Sequence, residues 1–319
     1  VHLKAEFLQP DDPGIGDALR RDGVAYISGL LDAAQVAEFR EVLANYENSI
    51  LPKARRSSYD SDTSGRLVMY RDVERHEPRL NKMIQQPTFM DLIRRAVDWE
   101  PVLYYLDGFP KPAGGSAIEA HQELYTVPVD PPQFLHLWVP LEDVTPENGS
   151  IHFYHGTHKL GLAPHIEPPG VAPMVDPAVL QRIENMRVEV TCPAGSAALF
   201  TGYTIHWSGP NRGDRDRPAM TLGIRGRNTV VKTEQENIAS LMARIFREEG
   251  SFASVGHDDD FYALSGHEGD TVVERILARV RNDHGVSISL DDFAQHYRTP
   301  KALAARVLIL QSEGTSGDR

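Results

Sequence analysis

The chain has 319 residues and a formal net charge of −12, which excludes a basic nucleic-acid surface as its main feature. Its length allows one large core or two smaller ones, and its single cysteine, Cys192, rules out an intramolecular disulfide framework. The opening VHLKAEFLQPDD has no apolar core of signal-peptide length, and no run approaches a membrane span, so a soluble cytoplasmic protein is expected, with neither nucleic acid nor membrane as partner.

VAYISGLL (24–31) is β-rich, and Asp32 is placed to cap a helix over AAQVAEFREVLANYE (33–47), whose apolar positions recur at helical spacing. Residues 53–65, KARRSSYDSDTSG, are small, polar and charged and predict a loop over a site. RLVMYRDV (66–73) reads as a strand and TFMDLIRRAVDW (88–99) as a second amphipathic helix. From VLYYLDGF (102–109) onward, short β-rich runs alternate with Pro and Gly clusters, the pattern of a sandwich or jelly roll. FLHLWVPL, GSIHFYH, MRVEVTC, SAALFTG and MTLGIRG are the main candidate strands. A Pro-rich insertion over 161–185 carries a short helix at PAVLQRIEN. Composition changes near Lys232, and from Glu234 to about Leu310 the chain reads as helices joined by short loops.

His121-Gln122-Glu123, then His206 and, eleven residues later, Arg217 form the constellation that carries chemistry. Two imidazoles and one carboxylate hold Fe(II) on one face of its octahedron and leave the opposite face open. In a strand, residues two apart point to the same side, so His121 and Glu123 would reach one metal. A cation downstream of the second histidine suits the far carboxylate of a bidentate 2-oxo acid; Arg225 is the next cation in line.

Residues 121–160, HQELYTVPVDPPQFLHLWVPLEDVTPENGSIHFYHGTHKL, resemble the core of the phytanoyl-CoA dioxygenase family of iron- and 2-oxoglutarate-dependent oxygenases. That family shows HQD, a tryptophan-bearing strand, PENG and a small-residue turn. PAGSAALFTGYTIHWSGPNRGDRDRPAMTLGIR (193–225) resembles its distal segment, and DGVAYISGLLDAAQVAEFREVL (22–43) its opening. The resemblance implies a mainly β fold with flanking helices, a double-stranded β-helix of two packed antiparallel sheets over residues 1–232. It implies Fe(II) on His121, Glu123 and His206, with 2-oxoglutarate and O2 as co-substrates. Arg217 and Ser208 would hold the distal carboxylate, with Trp138 and Gln122 lining that pocket. The family usually has Asp where this chain has Glu123; relatives that halogenate have Ala or Gly there, so a retained acid favours hydroxylation, desaturation or ring chemistry over halogenation.

VGHDDDFYALSGHEGDTVVERILARVRNDHGVSISLDDFAQHYRTPKALAARV resembles a peptidyl carrier domain of nonribosomal peptide synthetases. Glu268 stands where the phosphopantetheine-bearing serine would be, and Ser265 is three residues too early. A small all-α, carrier-like domain that cannot be loaded is therefore expected over 233–319, built on Val272, Ile276, Val280, Val286, Phe293, Leu303 and Val307. The expected substrate is a small amino-acid-like or other metabolite of peptide-synthetase-type metabolism, with a carrier or synthetase protein as a candidate partner.

Other residues keep two readings open. His136 shares a strand face with Trp138 and is a candidate for the substrate or oxo-acid pocket, or a core histidine. Arg71 and Lys111 are candidates to meet an anionic substrate, or ordinary paired charges. His152, His155 and His158 suit packing or the surface, and Trp207 suits packing. Desaturation, epoxidation or cyclisation by the same chemistry, and a non-catalytic docking protein, remain alternatives; Arg217 argues against a co-substrate-free cupin-like enzyme.

Overall fold

Runs of Val, Leu, Ile and aromatic residues with period two build the framework, because each strand buries one face on either side of a sheet. The computed structural model describes residues 4–53, 59–62, 65–166, 168, 172–232, 234–265 and 269–314. In chain order come β1 (Phe7–Leu8), α1 (Ile15–Asp22), β2 (Val24–Ile27), α2 (Ala33–Asn45), β3 (Tyr59–Ser61) and β4 (Leu67–Tyr70). Then follow α3 (Pro78–Ile84), α4 (Pro87–Ala96), β5 (Pro101–Phe109), β6 (Ile118–His121), α5 (Glu123–Thr126), β7 (Val129–Asp130) and β8 (Phe134–Pro140). Next are β9 (Ile151–Tyr154), β10 (His165–Ile166), β11 (Met174–Val175), α6 (Pro177–Ile183), β12 (Arg187–Val190) and β13 (Ala197–Thr201). The series ends with β14 (His206–Ser208), β15 (Ala219–Gly226), β16 (Val230–Val231), α7 (Glu234–Gly250), α8 (Phe261–Ser265), α9 (Asp270–His284), α10 (Leu290–His296) and α11 (Pro300–Gly314).

The chain divides into two compact units. The first comprises 1–124, 129–163 and 177–230; the second comprises 125–128, 164–176 and 231–319. In the first unit an eight-stranded sheet, ordered β1-β2-β13-β8-β15-β5-β4-β3, faces a four-stranded sheet ordered β12-β9-β14-β6. The space between them is filled by Trp138, Phe200 and Ala198 from the large sheet and Ile151, Phe153 and Val188 from the small one. The outer face of the large sheet packs on α1–α4 through Leu19, Phe39, Leu43, Phe89 and Leu92. This is the jelly-roll arrangement that the β-rich pattern predicts. Asp32 caps α2 as expected: its carboxylate accepts from Gln35 N (2.8 Å), and the Gln35 amide oxygen accepts from Asp32 N (2.9 Å).

Local readings needed correction where tertiary pairing overrides composition. Part of the polar stretch 53–65 is a strand, since Tyr59 and Asp60 pair with Tyr70 and Met69; residues 54–58, 63 and 64 lie outside the described set. The strand read over 66–73 stops at Tyr70, and Asp72 adopts a left-handed φ of 54°. The helix expected over 88–99 runs Pro87–Ala96, because Val97 is extended.

In the second unit Phe246, Phe261 and Phe293 meet with ring centroids 5.6–6.0 Å apart, and Val273, Ile276, Val280, Leu303 and Val307 are also buried. The core position on α9 is Val273; Val272 is only half-buried. Glu268 lies outside the described residues. No helix among the described residues is long and apolar enough to cross a membrane.

One buried acid of the large sheet is a stability handle. Asp107 on β5 is 6% exposed, and burial pushes its pKa up to about 7 although it accepts a hydrogen bond from Asp72 N (3.1 Å). A carboxyl raised in the folded state keeps its stability contribution below the unfolded pKa and loses it as pH climbs through the folded one. Asp107→Asn should therefore raise the melting temperature at about pH 8 and leave it nearly unchanged at about pH 4. The gain should be on the order of 2–4 kcal/mol, by linkage. Equal shifts at both pH values would refute that origin.

Candidate metal centre and co-substrate pocket

Two neighbouring strands of the small sheet supply the histidines. His121 ends β6 and His206 opens β14; they are direct antiparallel partners, with ring centroids 4.3 Å apart. His121 Nδ1 lies 2.7 Å from Glu119 O, and His206 Nδ1 lies 3.0 Å from Thr204 O. A carbonyl only accepts, so both Nδ1 atoms carry the hydrogen and both Nε2 atoms are left as donors to a metal. Glu123 Oε1 completes the corner at 3.4 Å from His121 Nε2 and 3.2 Å from His206 Nε2.

The carboxylate does not arrive by strand alternation, as the spacing predicts. β6 stops at His121, and Glu123 opens the short helix α5, where Leu124 N donates to Gly202 O (3.0 Å). The helical turn and the longer side chain together bring the acid back to the histidines. Burial alone would raise the pKa of Glu123, but the surrounding histidines, His136 foremost, hold it well below the usual carboxylate range. Burial, then neighbouring His121, push His206 down to about 4, so its ring is neutral. Two imidazole nitrogens and one carboxylate oxygen within 4.8 Å of one another suit a divalent transition metal with an open face.

A cationic wall of the same cavity is short of an anion. Arg217 is 3% exposed; its Nη2 donates to Gly149 O (3.3 Å), while Nε and Nη1 are buried without a partner. Its guanidinium lies 5.5 Å from the centre of the Trp138 ring. Lys111, also buried, donates through Nζ to Ser208 Oγ (2.9 Å) and Ser116 O (3.2 Å). Burial and then the like charge of Arg217 push Lys111 down to about 7. Gly149, at φ 88°, makes this approach possible, because a Cβ there would sit 2.5 Å from Lys111 Cε. Among the described residues lining the cavity, Glu123 is the only acid. The cleft holds about 760 Å³ of empty space, counted to its open mouth, and its remaining wall is largely apolar: Val68, Phe109, Ile118, Ile151 and Phe200.

A family model described as phytanoyl-CoA dioxygenase matches residues 19–219, more than half of the chain. The chain belongs to the phytanoyl-CoA dioxygenase family. Phytanoyl-CoA dioxygenase domain-containing protein 1 of Danio rerio is 29% identical over 168 residues, which are 50% of this chain and 57% of that protein. The Mus musculus protein of the same name is 29% identical over 160 residues, 47% of this chain and 53% of that one. This family member thus spans about half the length of the curated relatives it matches. Among solved structures, the epimerase SnoN in complex with Fe3+, alpha ketoglutarate and nogalamycin RO aligns with a TM-score of 0.59 at 21% identity, over 70% of this chain and 88% of that one. EctD from S. alaskensis with 2-oxoglutarate and 5-hydroxyectoine aligns at 0.60 and 17%, over 72% and 81%. These likenesses establish a shared fold.

Within this phytanoyl-CoA dioxygenase family member, His121, Glu123, His206, Arg217, Ser208, Trp138, Lys111 and His136 all come together around one cavity. Gln122 does not. It is fully buried elsewhere, donating to Gly161 O (2.9 Å) and Tyr203 O (2.5 Å) and accepting from Ala163 N (2.7 Å), so it anchors the loop after β9. Arg71 lies outside the cavity lining and is ion-paired with Asp60. Arg225 donates to Thr229 O (3.0 Å) and lies over Tyr104, so it is no substitute for Arg217. Trp207 stacks on His152 at 4.0 Å and 7°, a packing contact at the cavity edge. Val68, Ile151, Phe200 and Thr221 escaped the sequence reading. Period two shows that such residues share a face, but only strand register shows that the faces meet.

Proposed function

We propose that the chain is an Fe(II)- and 2-oxoglutarate-dependent dioxygenase that hydroxylates a small metabolite. The observation that carries this reading is one cavity holding both a preset two-histidine, one-carboxylate corner and a buried guanidinium with two unpartnered nitrogens. His121, Glu123 and His206 would hold the iron, which together with 2-oxoglutarate and dioxygen supplies the oxidising power for a substrate C–H bond. Arg217 would pair with the distal carboxylate of 2-oxoglutarate, with Lys111 and Ser208 beside it and Trp138 packing on the guanidinium. The backbone carbonyls of Glu119 and Thr204 keep both imidazoles in the ligating tautomer. Val68, Phe109, Ile151 and Phe200 exclude water and offer the substrate an apolar wall. Lys111 thus belongs with the co-substrate, not with an anionic substrate.

An amino-acid-like substrate of peptide-synthetase-type metabolism, and a carrier or synthetase partner, extend this proposal. Their support is the helical second unit and its sequence resemblance, with Glu268 at the attachment position.

The test is succinate release from 2-oxoglutarate under oxygen, with and without Fe(II), across candidate substrates. The parent should turn over in an iron-dependent, substrate-stimulated way. Glu123→Asp should keep measurable turnover and Glu123→Ala should lose hydroxylation. The parent should not incorporate chloride. Absence of iron-dependent succinate with every substrate would favour a docking protein instead.

A further inference from the structure

Glu123 carries one methylene more than an aspartate would at the same position, and that bond adds a rotation the protein must restrain. A third imidazole touches the same oxygen: His136 Nδ1 lies 3.0 Å from Glu123 Oε1. His136 sits on β8, in the opposite sheet from the two strand-borne histidines, and its nitrogens are not in the converging donor set. It therefore approaches the carboxylate from outside the metal corner. An ionised carboxylate only accepts, so Nδ1 carries the hydrogen and, in the neutral ring, Nε2 keeps a lone pair. The Tyr105 hydroxyl, 2.6 Å from that Nε2, donates into it.

The strand register explains how a residue on β5 reaches one on β8. Gly223, on the intervening β15, is the Cα partner of both His136 and Tyr105. A Cβ at position 223 would lie 2.5 Å from Tyr105 Cζ. Only glycine lets the phenol ring cross the middle strand. Phe134 and Phe200 flank the His136 ring, each with a centroid distance of 5.4 Å, and His136 is 5% exposed. The imidazole is packed between aromatic rings and has a polar partner at each nitrogen.

We propose that His136, held by Tyr105 across Gly223, is a positioning residue that orients the Glu123 carboxylate for metal binding. This rests on the reading of His121, Glu123 and His206 as the ligands. Glutamate gains reach from its extra methylene, and the relay removes the freedom that comes with it. Outer-shell hydrogen bonds of this kind typically change metal affinity by about tenfold to a hundredfold.

The experiment is anaerobic Fe(II) titration of the full chain with 2-oxoglutarate, reading affinity and the position of the visible charge-transfer band. His136→Leu keeps apolar bulk but removes the donor; it should weaken Fe(II) binding by about tenfold to a hundredfold and move the band. His136→Asn, which restores an N–H near Nδ1, should recover most of the affinity. Tyr105→Phe and Gly223→Ala should move both readouts in the same direction by less. Glu123→Asp should cost less affinity in the His136→Leu background than in the parent, since the two positions act as one unit. Unchanged affinity and band in His136→Leu, alongside loss of binding in His206→Ala, would overturn the relay while sparing the ligand assignment. Full iron binding by His206→Ala would bring down the ligand assignment and the relay together. Should His136→Leu fail to fold, Tyr105→Phe decides, because it deletes a single hydroxyl; an unmoved band there refutes the proposal.

Discussion

Replacing His206 with alanine should abolish specific iron binding. The imidazole is one of the three groups that could hold the metal, and its Nε2 is presented by the Thr204 carbonyl on the opposite nitrogen. A water in the vacated space would supply a weaker ligand held by nothing comparable. Fe(II) affinity should fall by more than about a hundredfold, beyond the range that outer-shell changes produce. The visible charge-transfer band of an anaerobic Fe(II)–2-oxoglutarate complex should disappear, as it should in His121→Ala. Thermal unfolding in chelator should show a smaller, separate loss, because the His206 ring packs on Phe200 at 4.5 Å and on Phe153 at 5.8 Å. Undiminished iron affinity in His206→Ala would mean that the metal sits elsewhere.

Arg217→Ala should act through the co-substrate and spare the metal. The guanidinium is almost fully buried with two nitrogens unpaired, an arrangement that costs free energy until an anion arrives. Removing one partner of a desolvated charge pair typically costs about 2–5 kcal/mol, here by analogy with buried interface pairs. The 2-oxoglutarate requirement should therefore rise well over tenfold while Fe(II) titration alone stays near the parent value. Arg217→Lys should recover only part of the loss, because a single ammonium cannot make the bidentate contact. An unchanged requirement would shift the role to Lys111, which already reaches Ser208 in the same wall.

The members of the candidate site and their order were legible in the sequence: His121, Glu123, His206 and Arg217 are separated by motif-like spacings, and a metal corner restricts which residue types could serve. The jelly roll was legible for a similar reason, since period-two burial and Pro/Gly punctuation are local properties. The helical character beyond residue 234 followed from local periodicity too. What makes the corner work was not local. His121 and His206 become neighbours only through the β6–β14 register, and Glu123 joins them from a helical turn instead of the strand. Gln122, adjacent in sequence to two candidate ligands, points away because its amide satisfies three backbone groups of other loops. Lys111 reaches Ser208 only because Gly149 leaves room for its stem. Tyr105, His136 and Gly223 lie far apart in the chain and meet because β5, β15 and β8 are aligned at one register. Alternation tells which face a side chain takes, and a one-residue slip would reverse it. The residues eligible for the chemistry were therefore set by the chain itself, while pairing between distant strands decided which of them touch.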